Sequence, residues 1–363
     1  MKLGIPKETL AGERRVATTP DVAKRLVGNG FDVLLEAGAG AAAHYTDQAY
    51  ADVGVQLVDR AACFNADVVL KVRRPSDDEA ASVRKGAIYI SLLESCGEDA
   101  LVGRMVENGV RVLGMERMPR ISRAQSMDAL SSQSNIAGYR AVIEAAACYG
   151  RFFPMMMTSA GSAKPTRLVV LGAGVAGLQA IATARRLGAD VYAYDVRPET
   201  LEQIRSLGAK PLELDLGESG AGEGGYAKEL SDEAKARQQA LLADELAKAH
   251  VIITTALIPC RPAPELITED VVKRMREGSV IVDLAAANGG NCKLTTPDQV
   301  TVHHGVTLVG HTNYPSMVPS DASAFYAKNL SNLIEIMVDK NDAGLVLKEL
   351  SEDEITRAML IGQ

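Results

Sequence analysis

The sequence predicts an α/β protein made of two doubly wound parallel-sheet domains joined by long helices, and three observations support this. Short apolar runs alternate with longer stretches of helical periodicity along almost the whole chain. The runs are rich in Val, Ile and Leu without polar alternation, which is typical of parallel strands covered by helices on both faces. At 363 residues, the chain is long enough for two domains of ordinary size.

The apolar runs that we interpret as strands fall into two sets. The first set is KLGIP, DVLLEA, DVVLKV, AIYISLL and VRVLGME, all before residue 117. The second set is RLVVLGAG, DVYAYDV, KPLELD, VIITTAL, SVIVDLA and VTLVGHT, which begins at Arg167. We therefore expect one sheet in each domain.

Two long helices are predicted to connect the domains. Apolar residues recur at helical spacing between Ile136 and Ala147, and again after Pro319. These helices would carry the chain out of the first domain and back, which makes the first domain discontinuous. The predicted limits are 1–131 with 320–363 for the first domain and 132–319 for the second.

Composition excludes several classes of function. The formal net charge of −7 argues against a general affinity for nucleic acid or an anionic membrane surface. The five cysteines are widely spaced, so we expect reduced thiols and no metal site. No apolar run approaches the roughly 20 residues of a membrane helix, and the N-terminal MKLGIPKETL is unlike a signal peptide. We expect a cytoplasmic chain that does not itself insert into a membrane.

The segment RLVVLGAGVAGLQAIATARRLGADVYAYDVR contains G-x-G-x-x-G at Gly172, Gly174 and Gly177. In Rossmann domains these glycines permit a tight turn, close approach to a pyrophosphate and close packing of helix on strand. The helix that follows offers its free N–H groups to the phosphates. Asp195 ends the next predicted strand, where a carboxylate binds the adenosine ribose and repels a 2′-phosphate. The pattern therefore predicts NAD(H) binding, although the nearby Arg197 weakens the preference over NADP(H).

A second glycine-rich segment, LGESGAGEGGYAKEL, precedes a highly charged predicted helix and includes Gly225 and Tyr226. Such a glycine density is typical of a mobile loop. The segment is either a surface insertion or a lid whose Tyr226 closes over a bound ligand. An earlier stretch, LLEAGAGAAAHYTD, also contains spaced glycines, but polar residues interrupt the helix that should follow, so we predict a turn there.

Residues that transfer protons are absent from the expected positions. Hydride transfer to or from an alcohol or amine normally requires a general acid or base near the reacting carbon. None of the five histidines ends a strand of the first domain. His311 ends the predicted strand VTLVGHT, where a lone histidine is more often a structural hydrogen-bonding residue.

Three segments resemble the alanine dehydrogenase family. They are GIPKE…GERRVA, DVVLKVRRP and VDLAAANGG. Arg15 and Lys71 match that family's ligands for the substrate carboxylate. The family's catalytic histidine and aspartate are missing, because this chain has Leu93–Cys96 and Ala287 at those positions. Oxidative deamination of an amino acid is therefore doubtful.

The segment MPRISRAQSMDALSSQSNIAGYRAV resembles more closely the signature of the NAD(H)-binding α subunits of proton-translocating NAD(P) transhydrogenases. Further matches are FPMMMTSAG, GVAGLQAIATARRLGA, GGYAKE, ITTALIP and AFYAKNL, so the resemblance covers essentially the whole chain. It implies hydride transfer between NADH on this chain and NADP⁺ on a partner subunit. No substrate proton moves in that reaction, which would explain the missing acid and base.

The resemblance also implies the roles of individual residues. Arg120, Gln125, Asp128 and Ser131 would surround the nicotinamide as catalytic residues, with an ion pair between Arg120 and Asp128. A plain capped helix start would explain Asp128 and the serines but not the arginine and glutamine. The remaining implied cofactor contacts are Ile121, Ser122, Ser126, Met127, Gly172, Gly174, Val175, Gly177, Asp195, Val196, Arg197, Gly225, Tyr226 and Leu257.

The implied assembly is a homodimer bound to NADP(H)-binding and membrane-spanning transhydrogenase subunits. The chain would then be peripheral on the cytoplasmic face of the membrane, and coupling to proton translocation would reside in the membrane subunit. Two alternatives stay open: an amino-acid dehydrogenase with an altered active site, and a non-catalytic module that senses NAD(H).

Overall fold

The computed structural model describes residues 1–94, 99–214, 217, 219, 230–258, 260–341 and 344–362. The chain divides into two compact units. The first unit is Met1–Gln133 with Pro315–Gln363, and the second is Ser134–Tyr314. Each unit contains one seven-stranded sheet dominated by parallel pairs, so the predicted α/β fold class with two doubly wound sheets is confirmed.

The described strands, in chain order, are β1 (Lys2–Ile5), β2 (Asp32–Glu36), β3 (Gln56–Val58), β4 (Val68–Leu70), β5 (Ile88–Ser91), β6 (Arg111–Gly114), β7 (Met156–Thr158), β8 (Gly161–Ala163), β9 (Arg167–Leu171), β10 (Asp190–Tyr194), β11 (Lys210–Pro211), β12 (Val251–Thr254), β13 (Val280–Asp283), β14 (Val300–His303), β15 (Val306–Val309), β16 (Val338–Asn341), β17 (Gly344–Leu347) and β18 (Leu360–Ile361).

The described α-helices are α1 (Pro20–Gly28), α2 (Asp47–Ala51), α3 (Arg60–Phe64), α4 (Asp77–Ser82), α5 (Ala100–Glu107), α6 (Ala129–Cys148), α7 (Val175–Arg186), α8 (Thr200–Ser206), α9 (Asp232–Ala247), α10 (Glu269–Arg274), α11 (Pro319–Met337) and α12 (Glu354–Met359). Among the described residues, none of these helices combines the length and apolar character that crossing a bilayer requires.

The first sheet has the strand order β18-β6-β5-β4-β1-β2-β3. All its neighbours pair in parallel except β18, which runs antiparallel to β6. The chain order reverses between β1 and β4, which pair through Leu3 and Val68. In doubly wound sheets, ligands bind beyond the carboxyl ends of the strands at such a reversal. The apolar residues of β1, β4 and β5 are fully buried, as expected for strands covered on both faces.

The second sheet has the order β11-β10-β9-β12-β13-β15-β14. Its one antiparallel pair is β14 with β15. The order reverses between β9 and β12, where Leu168 lies beside Val251. The turn out of β9 and the loop after β12 therefore both begin at the edge where this architecture binds ligands.

The thiols match the expectation from the sequence only in part. Cys63, Cys148 and Cys292 are free, and burial raises the pKa of the Cys63 thiol to about 12. Cys260 is disulfide-bonded, so the expectation of reduced thiols is wrong for this residue.

Within the second unit, α6 and α7 approach each other at Gly138. A Cβ at this position would lie 2.0 Å from the carbonyl oxygen of Ala176. This distance is far below any real contact, so only glycine allows the two backbones to pack in this way.

We expect Gly138→Ala to destabilise the protein by about 1–3 kcal/mol, because the backbone of one helix must move. The matched control is Gly103→Ala in α5, where the described structure places no atom within 4 Å of the added Cβ. That variant should gain up to about 1 kcal/mol from helix propensity. Urea unfolding followed by circular dichroism measures both, and equal stabilities of the two variants would contradict the packing described.

Candidate functional site

The turn from β9 into α7 has the geometry of a phosphate-binding turn. Gly172 has φ +96°, and a Cβ there would lie 2.6 Å from the Thr255 hydroxyl. A Cβ at Gly177 would lie 1.8 Å from the carbonyl oxygen of Gly172. These two glycines are therefore required by the turn and by the packing of α7 on the strand.

Gly174 differs from the other two glycines because the space around it is open. Among the described atoms, the nearest to a Cβ at this position is Arg197 Nη2, at 4.0 Å. Gly174 is the N-cap of α7, and its carbonyl oxygen accepts from Leu178 N. The first-turn N–H groups of a helix have no intrahelical partner, and the exposed Val175 begins this helix. The turn is thus a bare anion-binding end that fits a pyrophosphate.

Asp195 follows β10 and is saturated with hydrogen bonds. Its Oδ2 accepts from Ala173 N at 2.6 Å and from Arg197 Nη2 at 2.7 Å. Its Oδ1 accepts from Arg197 N at 2.9 Å and from Arg197 Nε at 2.8 Å. Hydrogen bonding to Asp195 also raises the pKa of Arg197. These four bonds use the acceptor capacity of the carboxylate, and Val196 lies half-buried between the two charged residues.

The loop after β12 is held by two polar residues that the sequence analysis did not identify. The Thr255 hydroxyl donates to the carbonyl oxygen of Gly172 at 3.1 Å. Asn291 is buried, accepts from Ala256 N at 3.1 Å and donates to the carbonyl oxygens of Ala256 and Pro264, each at 2.8 Å. These bonds fix the loop from which Leu257 projects as an exposed side chain.

In the first unit, the segment that we name the signature loop, residues 120–131, begins with a 3₁₀ helix over Ser122–Met127. Ala124 and Met127 are buried in the core and anchor the loop. Five of its predicted site residues are exposed or half-buried, and these are Arg120, Ile121, Ser122, Gln125 and Ser126. The loop therefore presents polar side chains to solvent from a fixed backbone.

Asp128 and Ser131 are brought together, but by a different interaction from the one expected. Asp128 Oδ1 accepts from Ser131 N at 2.9 Å, and Oδ2 accepts from the Ser131 hydroxyl at 2.5 Å. This is the pattern of a helix N-cap at the start of α6. The expected ion pair between Arg120 and Asp128 is not formed in the described structure, because the carboxylate of Asp128 caps the helix instead.

Residues far away in sequence hold the signature loop in place. Arg123 donates to both carboxylate oxygens of Asp353, at 2.8 Å each. The carbonyl oxygen of Ser126 accepts from the side-chain amides of Asn329 at 2.9 Å and Asn332 at 3.1 Å. The sequence carried no signal for these contacts, because they join segments more than 200 residues apart.

Arg15, predicted as a carboxylate ligand, is buried and fully engaged. Its Nε and Nη2 donate to Glu13 at 2.8 and 2.7 Å, and its Nη1 donates to Gln133 at 2.9 Å. Burial would raise the pKa of Glu13, but the hydrogen bonds and charge of Arg15 lower it to about 2. The charge of Arg15 is therefore compensated within the protein.

Lys71 is compensated in the same way. It is buried, and its Nζ lies 2.7 Å from Glu79 Oε2 and 3.5 Å from Glu8 Oε2. Glu79 also pairs with Arg60. Burial raises the pKa of Glu8 to about 7, although the charge of Lys71 and the N–H of Val72 act in the opposite direction.

Two predicted site residues, Gly225 and Tyr226, lie outside the described residues. His311 is half-buried and lies 3.8 Å from Glu144 through its Nε2. In the described part of the chain, no group of three or more His, Cys, Asp or Glu side chains has the arrangement of a metal site.

Two family models together match almost the whole chain. Residues 4–137 match "Alanine dehydrogenase/PNT, N-terminal domain", and residues 141–362 match "Alanine dehydrogenase/PNT, C-terminal domain". The chain is 51% identical to an NAD(P) transhydrogenase subunit alpha of Rhodospirillum rubrum, over 98% of this chain and 94% of that one. It is 30% identical to an alanine dehydrogenase of Bacillus subtilis, over 88% of this chain and 81% of that one.

The structure is similar to a solved transhydrogenase from Sinorhizobium meliloti. The TM-score is 0.88 at 45% identity, covering 99% of this chain and 98% of that chain. Sequence and structure therefore agree on the relatives of this chain.

We expect Arg123→Met to loosen the signature loop. Amide hydrogen exchange of residues 122–127 should accelerate by about two- to fivefold, the range that corresponds to one exposed ion pair. Arg25→Met is the matched control, because Arg25 pairs with Glu335 and is as exposed as Arg123, at 49%. Unchanged exchange in the first variant, or equal acceleration in both, would show that Asp353 does not hold the loop.

Proposed function

The chain belongs to the alanine dehydrogenase/PNT family and is a homologue of NAD(P) transhydrogenase α subunits, and from this premise we propose that it is the NAD(H)-binding component of such an enzyme. It would pass a hydride between NADH and NADP⁺ held by a partner subunit. The observation that carries the proposal is the open phosphate-binding turn at Gly174, combined with the exposed polar signature loop.

The second unit is proposed to bind the pyrophosphate and adenosine of NAD(H). The absence of a side chain at Gly174 leaves room for phosphate oxygens at the first turn of α7, and the helix dipole favours their negative charge. Leu257 supplies an exposed apolar side chain from the neighbouring loop. Gly225 and Tyr226, outside the described residues, keep their proposed role as part of a lid.

The contacts of Asp195 support a preference for NAD(H) over NADP(H). A 2′-phosphate requires an available cation, but the charge of Arg197 is already compensated by Asp195. A ribose hydroxyl is a neutral donor and can replace one of the bonds that Arg197 makes to the carboxylate. We therefore propose that Arg197 moves aside when the adenosine ribose binds.

The signature loop is proposed to orient the nicotinamide. When bound, the cofactor supplies a hydride from C4 of its dihydronicotinamide to C4 of NADP⁺, so NADH is oxidised, NADP⁺ is reduced and no proton moves. Gln125 is exposed and has both a donor and an acceptor, which matches the ring's carboxamide. Arg120 and Ser122 flank it as further polar contacts, while the cap between Asp128 and Ser131 fixes the backbone that carries them. Positioning of this kind is the main catalytic contribution in a reaction without acid or base.

The geometry of the first unit argues against an amino-acid dehydrogenase. A substrate carboxylate would need the charges of Arg15 and Lys71, and buried carboxylates already compensate both. The strand β5 is followed by Leu92, Leu93 and Glu94 rather than by a histidine. Both observations support hydride exchange without proton transfer.

The proposed assembly is a homodimer attached to NADP(H)-binding and membrane-spanning subunits at the cytoplasmic face of a membrane, where proton translocation occurs in the membrane subunit. Exposed apolar side chains near β7 support contact with a second copy. Phe152, Met155 and Met157 are 58%, 63% and 76% exposed, which is unusual for such residues outside an interface.

The direct test is to mix the purified chain with a transhydrogenase NADP(H)-binding domain and follow reduction of an NAD⁺ analogue by NADPH. We expect turnover only when both proteins are present, and no NAD-linked oxidation of alanine by this chain alone. Measurable alanine oxidation would favour the dehydrogenase alternative, and NAD(H) binding without any exchange would favour the sensing module.

We expect Gln125→Asn to slow hydride exchange by roughly tenfold or more, since shortening the side chain shifts the nicotinamide from its reacting position. Affinity for NADH, measured by fluorescence titration, should change little. Gln56→Asn on the edge strand β3 is the control, because Gln56 is exposed and remote in sequence from the signature loop. Unaltered exchange in Gln125→Asn would remove this residue from the proposed site.

Gly174→Ala should weaken NADH binding by roughly tenfold, about 1.4 kcal/mol, because the added methyl group occupies the proposed pyrophosphate position. Its unfolding transition should stay close to wild type, since the space is open. Gly177→Ala should instead destabilise the fold, as its Cβ meets the Gly172 carbonyl. Wild-type NADH affinity in Gly174→Ala would contradict the binding mode.

A further inference from the structure

A cavity with basic walls lies at the end of the second sheet opposite the glycine-rich turn. Its volume is about 220 Å³. It lies at the amino ends of the strands, because Arg167 begins β9 and His250 directly precedes β12. The glycine-rich turn follows the carboxyl end of β9, so this cavity is distinct from the proposed NAD(H) site. It is lined by Tyr149, Gly150, Arg151, His250, Arg276, Glu277, Gly278 and Ser279.

The imidazole of His250 has a hydrogen-bonding conflict that a bound acceptor would remove. The backbone N–H of Arg167 donates to Nδ1 at 3.0 Å, which places the ring hydrogen of the neutral imidazole on Nε2. That Nε2–H lies 3.1 Å from Nη1 of Arg276, and a guanidinium nitrogen is only ever a donor. Two donors therefore face each other at the cavity wall.

The charges around His250 favour an anion. Burial, followed by repulsion from Arg276, Arg151 and Arg167, lowers the pKa of His250, so the ring is neutral at physiological pH. Arg167 pairs with Glu245. Among the described residues, neither Arg151 nor Arg276 lies within ion-pair distance of a carboxylate, although the exposed Glu277 also lines the cavity.

The remaining walls leave these donors free to converge on a ligand. The ring of Tyr149 stacks on His250 with an interplanar angle of 16° and fixes the imidazole plane. The hydroxyl of Ser279 points to the carbonyl oxygen of Ala249 at 3.5 Å. The polar groups available to a ligand are then two guanidinium groups and one imidazole N–H, a donor set that suits a tetrahedral oxyanion.

We propose that this cavity binds a phosphate group, with one oxygen between His250 Nε2 and Arg276 and another on Arg151. The phosphate is either inorganic phosphate or that of a phosphate monoester. Such a ligand supplies the missing acceptor and compensates the two arginine charges, which a neutral ligand would not do.

The test is titration of the whole chain with inorganic phosphate, against chloride at matched ionic strength, while NMR follows the imidazole resonances of His250. His250→Gln assigns these resonances, so the readout is specific to this cavity and independent of the glycine-rich turn. We expect a saturable shift in the wild type, weakened roughly tenfold or more in Arg276→Met and in Arg151→Met. Arg274→Met is the control, because Arg274 is an exposed neighbour that pairs with Asp244, and it should titrate as the wild type does.

A second titration with methyl phosphate distinguishes the two sources of the phosphate group. Tighter binding of methyl phosphate indicates a monoester, and tighter binding of inorganic phosphate indicates the free ion. Absence of a saturable shift in the wild type would overturn the proposal. So would equal phosphate affinity in Arg276→Met and Arg274→Met, because it would show that the arginine at the cavity is not a ligand. Circular dichroism confirms that each variant is folded.

Discussion

The close contact between Gly177 and the carbonyl oxygen of Gly172 determines the proposed cofactor site of the second unit. A side chain at Gly177 would meet that oxygen at 1.8 Å, so α7 can pack against β9 only through bare backbone. This packing sets the N-terminal end of α7 at the carboxyl edge of the sheet and leaves open space at Gly174. The Thr255 hydroxyl and the buried amide of Asn291 then fix the adjacent loop against the same turn. The proposed phosphate site follows from backbone packing and needs no charged side chain.

The first unit treats charge in the opposite way. Its buried cations at Arg15 and Lys71 each contact a buried carboxylate at 2.7 Å. Removing one partner of such a pair would leave an uncompensated buried charge, which is strongly destabilising, whereas the intact pair contributes little net stability. Residues that would bind a substrate carboxylate in a related dehydrogenase are therefore consistent with a structural role here. The polar side chains that stay exposed belong to the signature loop, and its backbone is held from below by Ala124 and Met127.

The strands that the sequence predicted share one property, which is burial on both faces. Each of the predicted apolar runs contains a strand of the structure. The strands that were not predicted have different surroundings. β3 and β14 are edge strands with exposed residues, and β18 has only two residues and runs antiparallel. Hydrophobic pattern reports burial, so short edge strands that are defined by backbone pairing do not stand out in it.

The candidate site was predictable to the extent that its features are local. The glycine spacing identified the turn after β9 because turn, helix and strand are adjacent in sequence. The anchoring of the signature loop by Asn329 and Asp353 depends on contacts across more than 200 residues, which one sequence does not reveal. The ion pair expected between Arg120 and Asp128 was wrong because a carboxylate before a helix has a nearer partner, the N–H of Ser131.

Direct passage of a hydride between two nicotinamide rings, without a proton relay, is central to the proposed function. The most direct measurement uses NADH carrying deuterium at the transferred C4 position, with this chain and a transhydrogenase NADP(H)-binding domain in ordinary water. We predict that the NADPH formed carries one deuterium per molecule, and that the same reaction with unlabelled NADH in heavy water introduces none. Loss of the label to solvent, or incorporation of deuterium from heavy water, would contradict direct transfer.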